Sequence, residues 1–269
     1  MQGFRDQFGH LQCGVYGVGG TVGPLIATSL VRRGLHWSIF YIIPLAIATL
    51  CLPGSGWAFW GYERIPLSTQ QQSRKNYISK PTLFGNIFIF AYQGAEVAIS
   101  GWVVSFLVSY RGGDLTKVGY VTAGFWGGIT FGRFLLSYVS SMIGERIFVF
   151  AITAGTLVLQ LLVWFVPSVI GNSIAIGNSI AVALAGVLLG PIYPAATGIL
   201  VRLIPKQMQV SSFSFIAGVG SSGGAFVPFL TGLLAQHAGT WVLHPICISL
   251  FVAMEVSWFL LSEKHKSTE

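Results

Sequence analysis

From Thr82 to Tyr110 the chain is almost unbroken apolar sequence, about 29 residues with one acid, Glu96, at the midpoint. At a helical rise of roughly 1.5 Å per residue, about 20 residues cross a hydrocarbon core of ~30 Å, so this segment spans a membrane with length to spare for tilt. Glu96 then sits near the bilayer centre. An ionised carboxylate there costs on the order of 3 kcal/mol, so such a residue faces a protein interior or a watery cavity. Two readings stay open for it: a proton or substrate site inside a transporter, or a protonated structural acid hydrogen-bonded to a neighbouring helix.

The rest of the chain obeys the same solvent. Hydrophobic residues make up 53% of it and charged residues 9%, with a mean hydropathy of +0.72, against about 25% charged in a soluble domain. The composition predicts a polytopic membrane protein whose lipid bilayer is a standing partner. The apolar runs show no polar alternation, so the expected class is an all-α integral membrane protein rather than a barrel. The 34 glycines fit it, because small residues let helices approach closely where lipid gives no hydrophobic drive for packing. The net charge of +7 comes from basic residues scattered between the runs, which reads as topology signals and not as a nucleic-acid surface. Cys13, Cys51 and Cys247 have neither metal nor redox spacing, so they read as packing residues, and no metal or cofactor is expected. The start, MQGFRDQFGH, lacks the order of a cleaved signal peptide, so the spans themselves direct insertion.

Eight spans are expected. Gly14 to Val31 is the first and His36 to Trp60 the second, with Pro44 and Pro53 placed to kink or end it and Trp57 and Trp60 as interfacial anchors. The polar stretch Gly61 to Pro81 follows as a linker. Then come Thr82 to Tyr110, Val118 to Ile143, Ile147 to Pro167, Ser179 to Leu200, Gln209 to Gln236 and Trp241 to Ser262. The domain reading is 1–60 as a partial N-terminal half, 61–81 as a cytoplasmic basic linker, 82–262 as a six-helix half and 263–269 as a cytoplasmic tail. With eight spans, eleven of the fifteen Lys and Arg residues fall on the side of the termini and the linker; Arg32, Arg33, Arg111 and Lys117 fall opposite. The positive-inside rule makes the richer side cytoplasmic. The repeated GNSIA, at Gly171 to Ala175 and Gly177 to Ala181, reads as a tolerated loop extension between spans.

The fourth span carries Gly124, Gly128 and Gly132 at intervals of four, a stripe on one helix face where a neighbour can pack closely. Arg133 follows, and Gly144-Glu145-Arg146 closes the segment. Gly132-Arg133 with Gly144-Glu145-Arg146 resembles the cytoplasmic loop motif of the major facilitator superfamily, in its second-half copy. Gly19-Gly20-Thr21-Val22-Gly23-Pro24 resembles the glycine-proline motif of that superfamily's fifth helix. Gly94-Ala95-Glu96 with Gly101-Trp102, and Gly124-Phe125-Trp126-Gly127-Gly128, is similar to a fungal subgroup related to the fucose permeases and to bypass of stop codon protein 6. Where many relatives carry an acid and then a base before the loop glycine, this chain has Ser141 and Met142. The resemblance implies the last two helices of a first half plus a complete six-helix second half, the first four helices being absent. It assigns loop and gating roles to Gly132, Arg133, Gly144 and Arg146, and packing roles to Gly19, Gly23 and Pro24.

Two further patterns are discounted. Gly218-Val219-Gly220-Ser221-Ser222-Gly223 has the glycine spacing of a dinucleotide loop, but lies inside an apolar run with no preceding strand. Its Gly220-Ser221-Ser222-Gly223 resembles an intramembrane protease serine motif, yet His237 and His244 lie near a loop, not in mid-membrane. Gly190-Pro191 and Pro194, flanking Tyr193, interrupt the sixth span, as discontinuous helices do at transporter sites. Glu255 in the last span reads as a snorkelling or structural acid.

The expected function, carried by the resemblance, is secondary transport of a small-molecule solute, with or without coupled protons, by a non-enzyme. Glu96 is the binding or coupling acid, Gln93 and Ser100 share its face at spacings of three and four, and Trp126 and Tyr193 line the cavity. A second reading stands beside it: without a complete first half the chain transports nothing alone, as a fragment, a degraded paralogue or the partner of another transporter.

Overall fold

The computed structural model describes residues 2–61, 80–113, 118–165, 174–204 and 209–263, and every regular element among them is helical. The helices are α1 (Gln2–Arg32), α2 (Ile42–Phe59), α3 (Lys80–Ser109), α4 (Val121–Ile143), α5 (Glu145–Phe165), α6 (Ile174–Leu189), α7 (Ile192–Leu203), α8 (Gln209–Ala238) and α9 (Leu243–Glu263). Among the described residues six stretches are long and apolar enough to cross a membrane: Trp37–Phe59, Pro81–Ser109, Glu145–Phe165, Ser179–Leu203, Ser211–Ala238 and Thr240–Leu261. The other two expected spans fall on α1 and α4, helices of 31 and 23 residues whose glycines and polar residues dilute their hydropathy.

Pro44 lies in the first turn of α2, where a missing N–H costs nothing, and the helix runs on through Pro53. The expected kink or end at these prolines does not stop α2. Gly190 and Pro191 do separate α6 from α7, so the sixth span is two helices. The second GNSIA copy lies within α6, which begins at Ile174, and so is helix and not loop. Of the linker, only Gly61 and the first residues of α3 lie among the described residues.

α3 forms the centre, packed against α8, α9 and α4, with Phe88, Tyr92 and Phe106 fully buried. Backbone proximity replaces hydrophobic drive at its contacts. A Cβ at Gly223 of α8 would overlap the Phe90 carbonyl oxygen, and one at Gly94 would meet Val227. The Gly218-to-Gly223 pattern therefore serves helix packing through Gly220 and Gly223. Between α4 and α6 the arrangement is reciprocal: Gly128 and Gly132 receive the carbonyls of Ala183 and Val187, while Gly186 and Gly190 receive those of Phe125 and Ile129. Gly124 makes only ordinary contact with Ala183, at 3.8 Å from its would-be Cβ.

On α1 the close approach to α4 is made by Gly17 on Thr130 and Gly20 on Trp126. Gly19 and Gly23, expected as helix-packing glycines, have no atom within 4 Å of a would-be Cβ, because the helical turn carries them away from α4. Every residue of α2 is exposed, Trp57 at 85% and Trp60 at 90%. Phe131, Phe134, Phe226, Phe229 and Phe259 are likewise exposed, an apolar exterior suited to lipid.

Candidate functional site

Glu96 is 3% exposed at the middle of α3, and α3's packing against α4 brings a base to it. The Arg133 guanidinium, from the middle of α4, places Nη2 4.0 Å from Glu96 Oε1, with side-chain exposures of 9% and 4%. Two opposite charges are thus held together inside the helical bundle, each relieving the cost of burying the other. Tyr92, one turn before Glu96, is fully buried and neighbours both charges.

The broken span closes the cluster. Tyr92 donates its hydroxyl to the Leu189 carbonyl at 3.2 Å, and Arg133 donates from Nε to the Gly190 carbonyl at 3.3 Å. Tyr193, in the first turn of α7, sets its ring 5.9 Å from that of Tyr92. Tyr92, Glu96, Arg133 and Tyr193 therefore come together from α3, α4 and α7.

The remaining expected residues spread outward from this cluster. Gln93 turns towards α8, where its side chain lies beside Gly220 and Gly224. Ser100 bonds its own helix at the Val97 carbonyl, 3.1 Å, and its carbonyl accepts from Thr122 Oγ1 at 3.3 Å. Thr122 belongs to the wall of a cavity of about 380 Å³ between α1, α3 and α4, lined also by Pro24, Thr28, Arg32 and Val104. Glu96, Ser100 and Val104 follow at intervals of four, so one face of α3 leads from the ion pair to that cavity. Trp126 packs on Gly20 at the α1–α4 contact.

Loop glycine Gly144 has φ of +97° and turns α4 into α5. Glu145, just after it, pairs with Arg202 of α7 at 2.9 Å, and the Arg146 carbonyl accepts from Trp258 Nε1 at 3.1 Å. Arg133, grouped with this loop by the motif, instead lies ten residues inside α4 with its side chain buried. Sequence reasoning missed its pairing with Glu96, and missed Tyr92 altogether. The available signals were a lone base in an apolar run and a tyrosine four residues before the acid.

A family model and several known proteins match the sequence of this chain. The family model of the Major Facilitator Superfamily matches residues 11–228. Bypass of stop codon protein 6 of Saccharomyces cerevisiae (strain ATCC 204508 / S288c) is 25% identical over 287 residues, covering 95% of this chain and 58% of its own length. Nitrite extrusion protein of Bacillus subtilis (strain 168) is 25% identical over 272 residues, covering 94% of this chain and 64% of its own. A glucose/galactose transporter of Brucella abortus is 29% identical over 175 residues, 64% of this chain and 40% of its own length. The chain thus spans less than two thirds of the length of these curated relatives. No solved structure matches. The chain belongs to the Major Facilitator Superfamily, a family of multi-pass integral membrane transporters and not of enzymes.

Proposed function

We propose that this chain carries out secondary transport of a small solute by alternating access, with Glu96 as the acid that binds the solute or exchanges the coupled proton. The observation that carries the reading is the buried Glu96–Arg133 pair at the middle of two helices, beside the break between α6 and α7. A charge pair in mid-membrane costs free energy that packing alone does not require, and broken helices at such a depth present freed backbone groups to a ligand. At 4.0 Å the pair is close enough to neutralise its charges and loose enough for a proton or a polar solute group to enter between them. In this reading eight helical crossings form two spans plus six, α6 and α7 together making one, and α1 supplies one wall of the solute path.

The test is uptake of labelled glucose, galactose and nitrite, the solutes in the relatives' names, into vesicles bearing the full chain under an imposed pH gradient. Glu96→Gln keeps the shape and removes the titratable proton. For a coupling role it should reduce pH-driven accumulation by about tenfold or more while solute exchange persists. Loss of both accumulation and exchange would assign Glu96 to solute binding. Accumulation equal to wild type at every pH would remove both roles.

A further inference from the structure

Pro191 stands at the break between α6 and α7 and Pro194 in the first turn of α7, and neither has a backbone N–H. In an α-helix the N–H of one residue bonds the carbonyl four residues earlier, so Pro191 deprives the Val187 carbonyl, and Pro194 the Gly190 carbonyl, of the helical donor. In a membrane interior such carbonyls need other neighbours. Consecutive residues of α4 meet both. Gly132 lies so close to the Val187 carbonyl that a Cβ would overlap its oxygen. Arg133 donates from Nε to the Gly190 oxygen at 3.3 Å, while Nη2 of the same guanidinium faces Glu96 at 4.0 Å. The carboxylate and the break thus share one donor group.

We propose that Arg133 is a positioning residue that couples the state of Glu96 to the break between α6 and α7, with Gly132 setting the approach that makes the contact possible. This rests on the reading of Glu96 as the transport acid. The guanidinium stays charged, and its fixed fork of donors reaches the carboxylate and the carbonyl together. While Glu96 is ionised, Arg133 is divided between them. Once a proton neutralises Glu96, the Gly190 carbonyl is the stronger acceptor left to the buried cation, and the break tightens. Tyr92, which donates to the Leu189 carbonyl one turn from Glu96, ties the neighbouring carbonyl to the same cluster.

Hydrogen–deuterium exchange of the full chain in lipid nanodiscs, read at the amides of residues 189–195, tests the coupling. Glu96→Gln should slow that segment by about threefold or more. In an Arg133→Lys background the same substitution should leave the rate unchanged, because lysine lacks the fixed fork whose Nε and Nη2 reach the carbonyl and the carboxylate from separate positions. Pro194→Ala returns a backbone N–H to the Gly190 carbonyl and should likewise abolish the response, a result that stands even if Arg133→Lys does not fold. No slowing in Glu96→Gln, or slowing that persists with Pro194→Ala, overturns the proposal. Transport separates it from the reading beneath: lost accumulation with unchanged exchange rates sinks the coupling alone, whereas slowed amides with intact accumulation sink the transport role of Glu96.

Discussion

Arg133 and Arg202 each face one carboxylate, in opposite surroundings. Arg202 meets Glu145 at 2.9 Å with its own side chain 72% exposed, so water competes for both charges and the pair contributes at most about 1 kcal/mol. Arg133 is farther from its partner, at 4.0 Å, yet its removal leaves Glu96 as an uncompensated buried charge, a loss of about 3–5 kcal/mol. We therefore predict that Arg202→Ala scarcely alters detergent unfolding of the purified chain, whereas Arg133→Ala lowers the midpoint strongly. Equal effects would mean that Glu96 finds another partner or stays neutral. Glu96 was legible in the sequence because one acid in an apolar run has no bland surface explanation. Its partner was not, because pairing Glu96 with Arg133 depends on the rotation of α3 against α4, which hydropathy does not encode.

The helix contacts turn on glycines chosen by facing, not by spacing alone. Gly128 and Gly124 belong to the same period-four stripe, but a Cβ at Gly128 would overlap the Ala183 carbonyl, whereas one at Gly124 would rest 3.8 Å from the Ala183 Cβ. Gly128→Ala should therefore cost about 1–3 kcal/mol as α4 and α6 move apart, and Gly124→Ala should stay within about 0.5 kcal/mol. Unfolding in a detergent titration distinguishes the two; equal tolerance would show that the helices separate at no cost. The stripe was readable from spacing. Gly186 and Gly190 are four apart as well, but spacing does not say that they face the first set: that pairing depends on the rotation of α6 against α4. On α1 the same limit shows: Gly19 and Gly23 stood out by resemblance, while Gly17 and Gly20 make the contact because α1's rotation points them at Thr130 and Trp126. The break at Gly190 and Pro191 was legible, because proline chemistry is local.

Across the whole molecule the helix ends sort into two faces. At one, Arg111 after α3 donates to the Val163 and Trp164 carbonyls at the end of α5, and Gln160 bonds His244 at the start of α9, 2.9 Å away. At the other, the start of α5 meets Arg202 near the end of α7 and Trp258 near the end of α9. Helices joined end to start in this way alternate in direction, as successive crossings require. Arg133 leaves the count of topology signals because it is buried in the bundle, but Arg146 and Arg202 remain together on the second face, opposite Arg111. Lys80 opens α3 and so lies at the second face as well. The positive-inside rule then predicts that the linker is cytoplasmic. A single cysteine introduced at Ser73, in a background with Cys13, Cys51 and Cys247 replaced, should resist an impermeant thiol reagent in intact cells and react once the membrane is permeabilised. Reaction before permeabilisation would invert the topology and place Arg32, Arg33 and Arg111 on the cytoplasmic side, against the excess of basic residues at the other face.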